Sequence, residues 1–359
     1  MRGVNPQADK IKRVVVRAPN WVGDAVMSVP ALRELRRILP DARITLVARP
    51  GTADIFIDAD FIDDISIYER RGIVSVWEQA RYWRRERFDL AVLLQNAFEA
   101  GLIASLARVP IRVGYDTERR GFLLTNPLPL PEWKDQRHES FYYLNIVNEL
   151  GRTLGTETSA ITVAPQFDLN VSLDRKQEAR ALLHEQDPRI GAPLVLLCPG
   201  SINSRAKRWP AERYATLSDR LSEAGANVVL IGSPGEQDVS QEVCKHAQRQ
   251  PMVLTGKTTV AQVTALISIA DALITNDTGP AHIGAALHTP TLVIFGPTNP
   301  LTTYPMAPNA EMVRRPPDCA PCMLRDCPID HRCMTAIAPD EIFERALALM
   351  ARERAEASA

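Results

Sequence analysis

The sequence carries almost no excess charge and no long apolar run. Its 42 basic and 43 acidic side chains give a formal net charge of −1 at pH 7, so charge gives no general reason to expect nucleic-acid binding. No stretch approaches the roughly 18 uninterrupted apolar residues of a membrane-spanning helix, and the polar segment before Lys12 lacks the apolar core of a secretory signal. We therefore expect a cytoplasmic protein without a nucleic-acid partner, which can still work on a membrane surface.

Internal repeats, low-complexity tracts and heptads are also missing, which leaves an ordinary globular composition of 45% hydrophobic and 24% charged residues. The 359 residues exceed what a single core usually supports, so two domains are expected. In both halves short apolar runs alternate with helical stretches, a pattern typical of parallel sheets covered by helices.

Residues 163–169 contain a proline and show neither helical nor strand periodicity, so this segment predicts the linker between the domains. We expect two Rossmann-like, doubly wound α/β domains, residues 1–168 and 169–339, whose strand ends face each other across a cleft. A charged amphipathic helix, residues 340–359, is expected to pack back on the first domain.

The most informative segment is residues 270–288, in which an apolar strand breaks into a polar loop and resumes as a small apolar helix. The first amides of a helix are unpaired and its dipole is positive there, so this loop predicts a site for an anion such as phosphate. The candidate binding residues are Asp277, Thr278, Gly279 and His282.

Polar loops follow other predicted strands at the same edge of a parallel sheet. Asp24, in the turn after the first strand, either caps a helix or faces the cleft as a general base. In the loop of residues 198–210, Ser201 and Asn203 can offer amides and polar side chains, while Lys207 is either a phosphate ligand or a solvated charge. The Walker A spacing is absent. Glu236 either binds a ribose or base, or complements a helix dipole.

Two further groups of residues are candidates for binding. Arg119 and Arg120 lie in a polar segment beyond a strand, which makes them candidates for an anionic acceptor. The cysteine-rich segment 319–334 has enough ligands for tetrahedral zinc but only one Cys-x2-Cys unit, so a metal site and a compact loop with buried or reactive thiols both remain open. Its cysteines are Cys319, Cys322, Cys327 and Cys333, with His331 nearby.

Together these motifs resemble the ADP-heptose:lipopolysaccharide heptosyltransferases, over nearly the whole chain. The carriers are Arg17-x6-Asp24, Lys207-x-Trp209-Pro210, and Asn276-Asp277-Thr278-Gly279-Pro280-x-His282. The Asn-Trp-Val-Gly-Asp form around Asp24 and the cysteine-rich tail are similar to the second-heptose branch of that family.

The resemblance implies a GT-B architecture with the donor mostly in the C-terminal domain. It implies an inverting transfer of L-glycero-D-manno-heptose from ADP-heptose to the first heptose of the lipopolysaccharide inner core, heptosyl-Kdo-lipid A. No cofactor or metal is implied, and the protein is expected at the cytoplasmic face of the inner membrane.

Residue by residue, the resemblance assigns Asp24 as the catalytic base, Lys207 to the donor diphosphate and Glu236 to the adenosine. The residues Asp277, Thr278, Gly279 and His282 match the donor loop around heptose and diphosphate. Ser201 and Asn203 stand where related members often have threonines that contact phosphate. Alternatives are transfer of the first or third heptose, a nucleotide-sugar epimerase, or a metal-binding regulatory protein built around the cysteines.

Overall fold

A computed structural model describes residues 8–156, 158, 161–186 and 191–357. The chain forms two compact units, with the boundary between Phe167 and Asp168. The remaining residues, which include the last two of the C-terminal helix expected from the sequence, lie outside the described part.

The first unit is built on a parallel sheet with the strand order β3-β2-β1-β4-β5-β6. The central strand β1 carries three consecutive valines that are fully buried, because helices cover both faces of such a sheet. The strands are β1 (Arg13–Arg17), β2 (Arg43–Ala48), β3 (Asp64–Ile67), β4 (Leu90–Leu93), β5 (Ile111–Tyr115) and β6 (Asn126–Leu128). The helices are α1 (Val22–Met27), α2 (Val29–Ile38), α3 (Pro50–Ala53), α4 (Ile73–Glu86), α5 (Phe98–Leu106) and α6 (Glu139–Leu154).

The second unit repeats this topology, with the strand order β12-β11-β10-β7-β8-β9 and parallel pairing throughout. The strands are β7 (Leu194–Cys198), β8 (Asn227–Leu230), β9 (Met252–Val253), β10 (Ala272–Asn276), β11 (Thr291–Phe295) and β12 (Ala310–Arg314). The helices are α7 (Leu173–Gln186), α8 (Ala211–Glu223), α9 (Gln237–His246), α10 (Val260–Ile267), α11 (Gly279–Ala286), α12 (Pro300–Thr303), α13 (Arg332–Thr335) and α14 (Pro339–Ala357). Both units are thus α/β Rossmann-like domains, as the alternating apolar runs predict.

In each sheet the strand order reverses between two central neighbours, and ligands of such folds bind beyond the carboxyl ends of these strands. The neighbours are β1 and β4 in the first unit, and β7 and β10 in the second. The loops that follow these four strands are therefore where the topology favours a site.

The C-terminal helix α14 belongs to the second unit, which corrects the expectation that it packs on the first domain. Its buried residues Ile342, Ala346 and Leu349 join the core that β7, β10 and β11 share with α8. Arg220 of α8 also stacks over the Phe343 ring at 4.2 Å. The amphipathic pattern predicts an apolar face but carries no information on which domain that face covers. Within the described residues, no helix has both the length and the apolar character needed to cross a membrane.

Candidate active-site loops

The amide side chain of Asn276, at the end of β10, fixes the loop that follows β7. Its Nδ2 donates to the carbonyls of Pro199 (2.8 Å) and Gly200 (3.1 Å). Its Oδ1 accepts from the backbone N–H of Trp209 and the hydroxyl of Tyr214, both at 3.1 Å. Because Asn276 is fully buried, these bonds hold the two loops at the point of strand reversal as one body. Asn276 is not among the binding residues predicted from the sequence, although a polar side chain that ends a buried strand was the available signal.

Lys207 and Asp277 form a largely buried ion pair between these two loops. The Lys207 Nζ donates to the Asp277 carboxylate at 3.0 Å and to its carbonyl oxygen at 3.1 Å. The hydroxyl of Thr298, in the loop after β11, donates to the same carboxylate oxygen at 2.6 Å. The structure thus brings together two residues that the sequence selected separately. It adds Thr298, which its position after a strand could have indicated.

Helix α11 starts directly after this pair. Thr278 is its N-cap residue but makes no side-chain bond to the helix amides, so the positive end of the helix keeps hydrogen-bonding capacity for an anion. His282, in the first turns of α11, is buried. Burial lowers the pKa of His282 to about 4, outweighing the opposing effect of Asp277, while Lys207 lowers it further. The imidazole is therefore neutral near pH 7.

Glu236 makes the contacts expected of a residue at a helix start. Its Oε2 accepts from the backbone N–H (2.8 Å) and hydroxyl (2.7 Å) of Ser233 in a capping box. Its Oε1 lies against Gly200, where a Cβ would come within 2.2 Å of it. Gly200 thus allows the carboxylate to approach the loop after β7. The nucleotide contact of Glu236 stays a prediction.

The loop after β7 carries three cations, which differ in their contacts. Arg205 pairs with Asp326 at 2.6 Å. Arg208 folds back so that its guanidinium donates to the Ser201 carbonyl at 3.1 and 3.2 Å. This leaves Lys207 as the loop cation at the start of α11. The side chain of Ser201 is buried and that of Asn203 is exposed, and their phosphate contacts also stay predictions.

The cysteine-rich segment packs against the loop that carries Lys207. The Ala206 N–H donates to the Arg325 carbonyl at 2.9 Å, and the Ala206 carbonyl accepts from the Nε2 of His331 at 2.6 Å. Burial raises the pKa of Cys333 to about 11, and its three neighbouring cysteine side chains raise it further. The four cysteines are free thiols. In the described part of the chain no group of three His, Cys, Asp or Glu side chains is placed to hold a metal ion.

In the first unit, Asp24 lies in the first turn of α1, the helix that follows β1. The N-cap residue of α1 is Trp21 and Asp24 sits two residues inside the helix, so Asp24 is not its cap. Tyr143 of α6 is buried and donates its hydroxyl hydrogen to Asp24 Oδ1 at 3.0 Å. Burial, Asp24 and Glu139 all raise the pKa of Tyr143, which keeps this hydroxyl a donor.

Glu139 lies one turn before Tyr143 on α6. Burial, against the opposing effect of Lys134 and with a smaller contribution from Asp24, raises its pKa to about 7. Neither Tyr143 nor Glu139 is among the residues predicted from the sequence, although a polar pair four residues apart shares one helix face.

Arg120 is not available to an acceptor, which corrects its selection as a binding residue. Its side chain is fully buried, and it donates to the carbonyls of Tyr115 (2.9 Å) and Ala97 (3.2 Å) and to Asn96 Oδ1 (3.2 Å). Burial lowers its pKa to about 10. Arg120 therefore braces the loop after β4. Arg119 is exposed, with a left-handed backbone (φ 55°), and its role stays a prediction.

Two Rossmann-like domains, one with a lysine beside a helix start and the other with a carboxylate after β1, fit a glycosyltransferase of the GT-B class. Residues 76–332, more than half of the chain, match glycosyltransferase family 9 (heptosyltransferase). The chain belongs to this family of enzymes.

Named relatives agree with this placement. The chain is 29% identical to the lipopolysaccharide heptosyltransferase 2 of Salmonella typhimurium, over 84% of this chain and 88% of that one. It is 27% identical to the protein of the same name from Escherichia coli K12, over 96% of this chain and 100% of that one. The solved structure of E. coli ADP-heptose lipopolysaccharide heptosyltransferase II superposes with a TM-score of 0.82, at 27% identity, covering 95% and 99% of the two chains.

Proposed function

We propose that this protein transfers L-glycero-D-manno-heptose from ADP-heptose to the first heptose of the lipopolysaccharide inner core. The observation that carries the donor half is the Lys207–Asp277 pair beside the start of α11, at the strand reversal of the second unit. The names of the relatives at 27% and 29% identity support the choice of sugar and acceptor class.

On the donor side, the second unit supplies positive charge where the leaving group gains negative charge. The described contacts of Lys207 are both to Asp277, and an ammonium group has a further N–H for a diphosphate oxygen. The Gly279 N–H and the helix dipole at the start of α11 add to it, since Pro280 has no N–H and the Ala281 N–H bonds to the Thr278 carbonyl at 3.0 Å. A site built in advance needs no reorganisation during the reaction. Neutral His282 and the Asp277 carboxylate can bind heptose hydroxyls. Ser201, Asn203 and the Oε1 of Glu236 complete the proposed phosphate and adenosine contacts.

On the acceptor side, Asp24 acts as the general base. It takes the proton from the acceptor hydroxyl as that oxygen bonds to the anomeric carbon. The bond from this carbon to the diphosphate breaks on the opposite face, and ADP leaves, so the configuration inverts. The hydroxyl of Tyr143 orients the base through its bond to Asp24 Oδ1. General-base assistance is worth on the order of 10²- to 10⁴-fold.

This assignment also sets where the protein works. An acceptor of the heptosyl-Kdo-lipid A type is anchored in the inner membrane, so we place the enzyme in the cytoplasm, peripheral at that membrane. Neither a cofactor nor a nucleic acid takes part in the proposed reaction, and Arg119 is the acceptor-binding candidate that remains exposed.

The test incubates the full chain with ADP-heptose and lipopolysaccharides whose cores carry no, one or two heptoses, followed by mass spectrometry of the lipid. We expect the mass of one added heptose only on the acceptor with one heptose. The anomeric configuration of the product, read by NMR, tests inversion. Asp24→Asn should lower turnover by about 10²- to 10⁴-fold while ADP binding stays unchanged.

Three results would each overturn a part of the proposal. Product on a different acceptor alone moves the protein to the first- or third-heptose branch. Conversion of the nucleotide sugar without any acceptor replaces transfer with epimerisation. Undiminished turnover of Asp24→Asn would remove Asp24 as the base.

A further inference from the structure

The first turns of α4 expose three apolar side chains on the outer face of the first unit. Ile73 is 74% exposed, Val74 63% and Trp77 53%. The opposite face of the same helix is buried, through Val76 and Trp83 among others. A surface helix normally turns charged or polar residues to solvent. A contiguous exposed apolar group of this kind marks an interaction surface.

Three arginines continue the same outer face toward the end of the helix. At about 100° per residue, Arg81, Arg84 and Arg85 fall on the side of Trp77, away from the buried residues. All three are exposed, and among the described residues no carboxylate lies within ion-pair distance of them. The helix has two acidic side chains, Glu78 and Glu86, and Glu86 pairs with Arg13.

The two arginines just before the helix do not add to this charge. Arg70 pairs with Glu99 at 2.8 Å and Arg71 pairs with Glu69 at 2.7 Å. The positive charge of the outer face therefore comes from the helix itself.

The exposed apolar residues at the start of α4 lie at the same edge of the first sheet as Asp24. Helix α4 follows β3 and α1 follows β1, and these parallel strands belong to one sheet. Both helices therefore begin at its carboxyl edge. The segment between β3 and α4 is tied to this edge, because the hydroxyl of Tyr68 donates to Glu99, in the first turn of α5, at 2.9 Å.

We propose that the outer face of α4 docks on the surface of an anionic phospholipid bilayer. Ile73, Val74 and Trp77 enter the boundary between head groups and acyl chains, and Arg81, Arg84 and Arg85 bind lipid phosphates. An apolar partner alone would leave the arginines uncompensated, whereas an anionic bilayer satisfies both halves of the face. Docking here would bring the edge with Asp24 to the membrane, and this link to the acceptor rests on the proposed function.

The test is co-sedimentation of the full chain with vesicles of phosphatidylglycerol and phosphatidylcholine, or of phosphatidylcholine alone. We expect binding to the anionic vesicles that weakens with added salt. Each arginine near an anionic surface contributes about fivefold to binding, so Arg81→Gln/Arg84→Gln/Arg85→Gln should lower partitioning by on the order of a hundredfold. Ile73→Ser/Trp77→Ser should lower binding as well.

A matched control exists on α7 of the second unit. Leu173 is 75% exposed and Arg180 is exposed, so Leu173→Ser/Arg180→Gln removes the same kinds of side chain from another surface. This variant should bind vesicles like the unchanged protein. Circular dichroism on all variants checks that they fold.

The docking proposal falls if the unchanged protein does not sediment with anionic vesicles, or if the α4 variants bind as well as the control. It also falls if Ile73→Ser/Trp77→Ser changes the oligomeric state in sedimentation velocity while vesicle binding persists, because the face would then join two copies. Turnover on a lipid-free acceptor saccharide separates the two proposals. Transfer without α4-dependent binding defeats docking alone, and α4-dependent binding without transfer defeats the proposed function alone.

Discussion

Replacing Lys207 with methionine should destabilise the second unit more than replacing its partner Asp277 with asparagine. The two side chains differ in burial, since Asp277 is 3% exposed and Lys207 25%. Lys207→Met leaves a buried carboxylate whose remaining described partner is the Thr298 hydroxyl. Asp277→Asn leaves an ammonium group that can turn toward water.

The magnitude follows from this difference. Removing one member of a fully buried ion pair costs about 3–5 kcal/mol. Because water reaches Lys207, we expect about 2–4 kcal/mol for Lys207→Met. Asp277→Asn keeps an oxygen for Thr298 and loses a charge-assisted bond, at about 1–2 kcal/mol. The double variant should resemble Asp277→Asn alone, because it contains no unpaired buried carboxylate.

Scanning calorimetry measures the stability of each variant. The unfolding transition of the second unit must be assigned separately, because a chain of two units need not unfold in one step. Each kcal/mol shifts the midpoint of a domain of this size by about 2–4 °C. The unfolding midpoint of Lys207→Met should therefore be lower by on the order of 10 °C, about twice the effect of Asp277→Asn. Equal effects, or strict additivity in the double variant, would refute the reasoning that the carboxylate depends on the lysine.

Ligand binding separates stability from function in the same variants. Isothermal titration with ADP should show a loss of about 10- to 100-fold for Lys207→Met, because a charge-assisted bond to phosphate disappears. Asp277→Asn keeps the lysine and should bind ADP at least as tightly as the unchanged protein. Tight ADP binding by Lys207→Met would remove Lys207 from the diphosphate site.

Three further predictions concern the first unit. Tyr143→Phe removes a donor that favours the charged form of Asp24, so kcat should fall and the acidic limb of its pH profile should move to higher pH, with KM for the donor unchanged. Burial raises the pKa of Glu139 to about 7 from an ordinary 4.5. The folded protein therefore holds this proton more tightly than the unfolded chain, so the free energy of unfolding is highest at low pH and falls as the pH rises through about 7. Urea unfolding should find Glu139→Gln more stable than the unchanged protein by up to about 3 kcal/mol in alkaline buffer, with a smaller gain in acid. Arg120→Met should lower the free energy of unfolding by about 3 kcal/mol, because buried carbonyls lose their donors. Arg119→Gln should instead change only the KM for the acceptor. If the two results were reversed, Arg120 would again be a candidate for the acceptor site.

The fold class was predictable because both sheets are parallel and covered on both faces. Such strands leave short, nearly continuous apolar runs, as in β7 and β11, and each run is followed by a polar loop. The carboxyl ends of parallel strands meet at one edge, so the sequence also indicates that Lys207 and Asp277 share a site. It contains no signal that the two side chains neutralise each other, because that contact joins residues 70 positions apart.

The errors have one physical cause, which is contact between distant segments. The segment around Arg120 is polar by sequence, but its guanidinium folds inward to carbonyls more than 20 residues earlier in the chain. Similarly, Tyr143 reaches Asp24 across 119 positions. Helix α14 shows an apolar face whose partner only the tertiary structure identifies. Local pattern predicts which elements form, and the partners of single side chains follow from how those elements pack.

The cysteine-rich segment is joined to the loop that carries Lys207 by its backbone and by His331. Both backbone polar groups of Ala206 are used, the N–H by the Arg325 carbonyl and the carbonyl by His331. On the other side of Lys207, the N–H of Trp209 is held by Asn276. The lysine is thus fixed between two anchored neighbours while its ammonium reaches Asp277. A cation held this way meets developing charge without having to move, and none of the bonds that hold it comes from a sulfur atom.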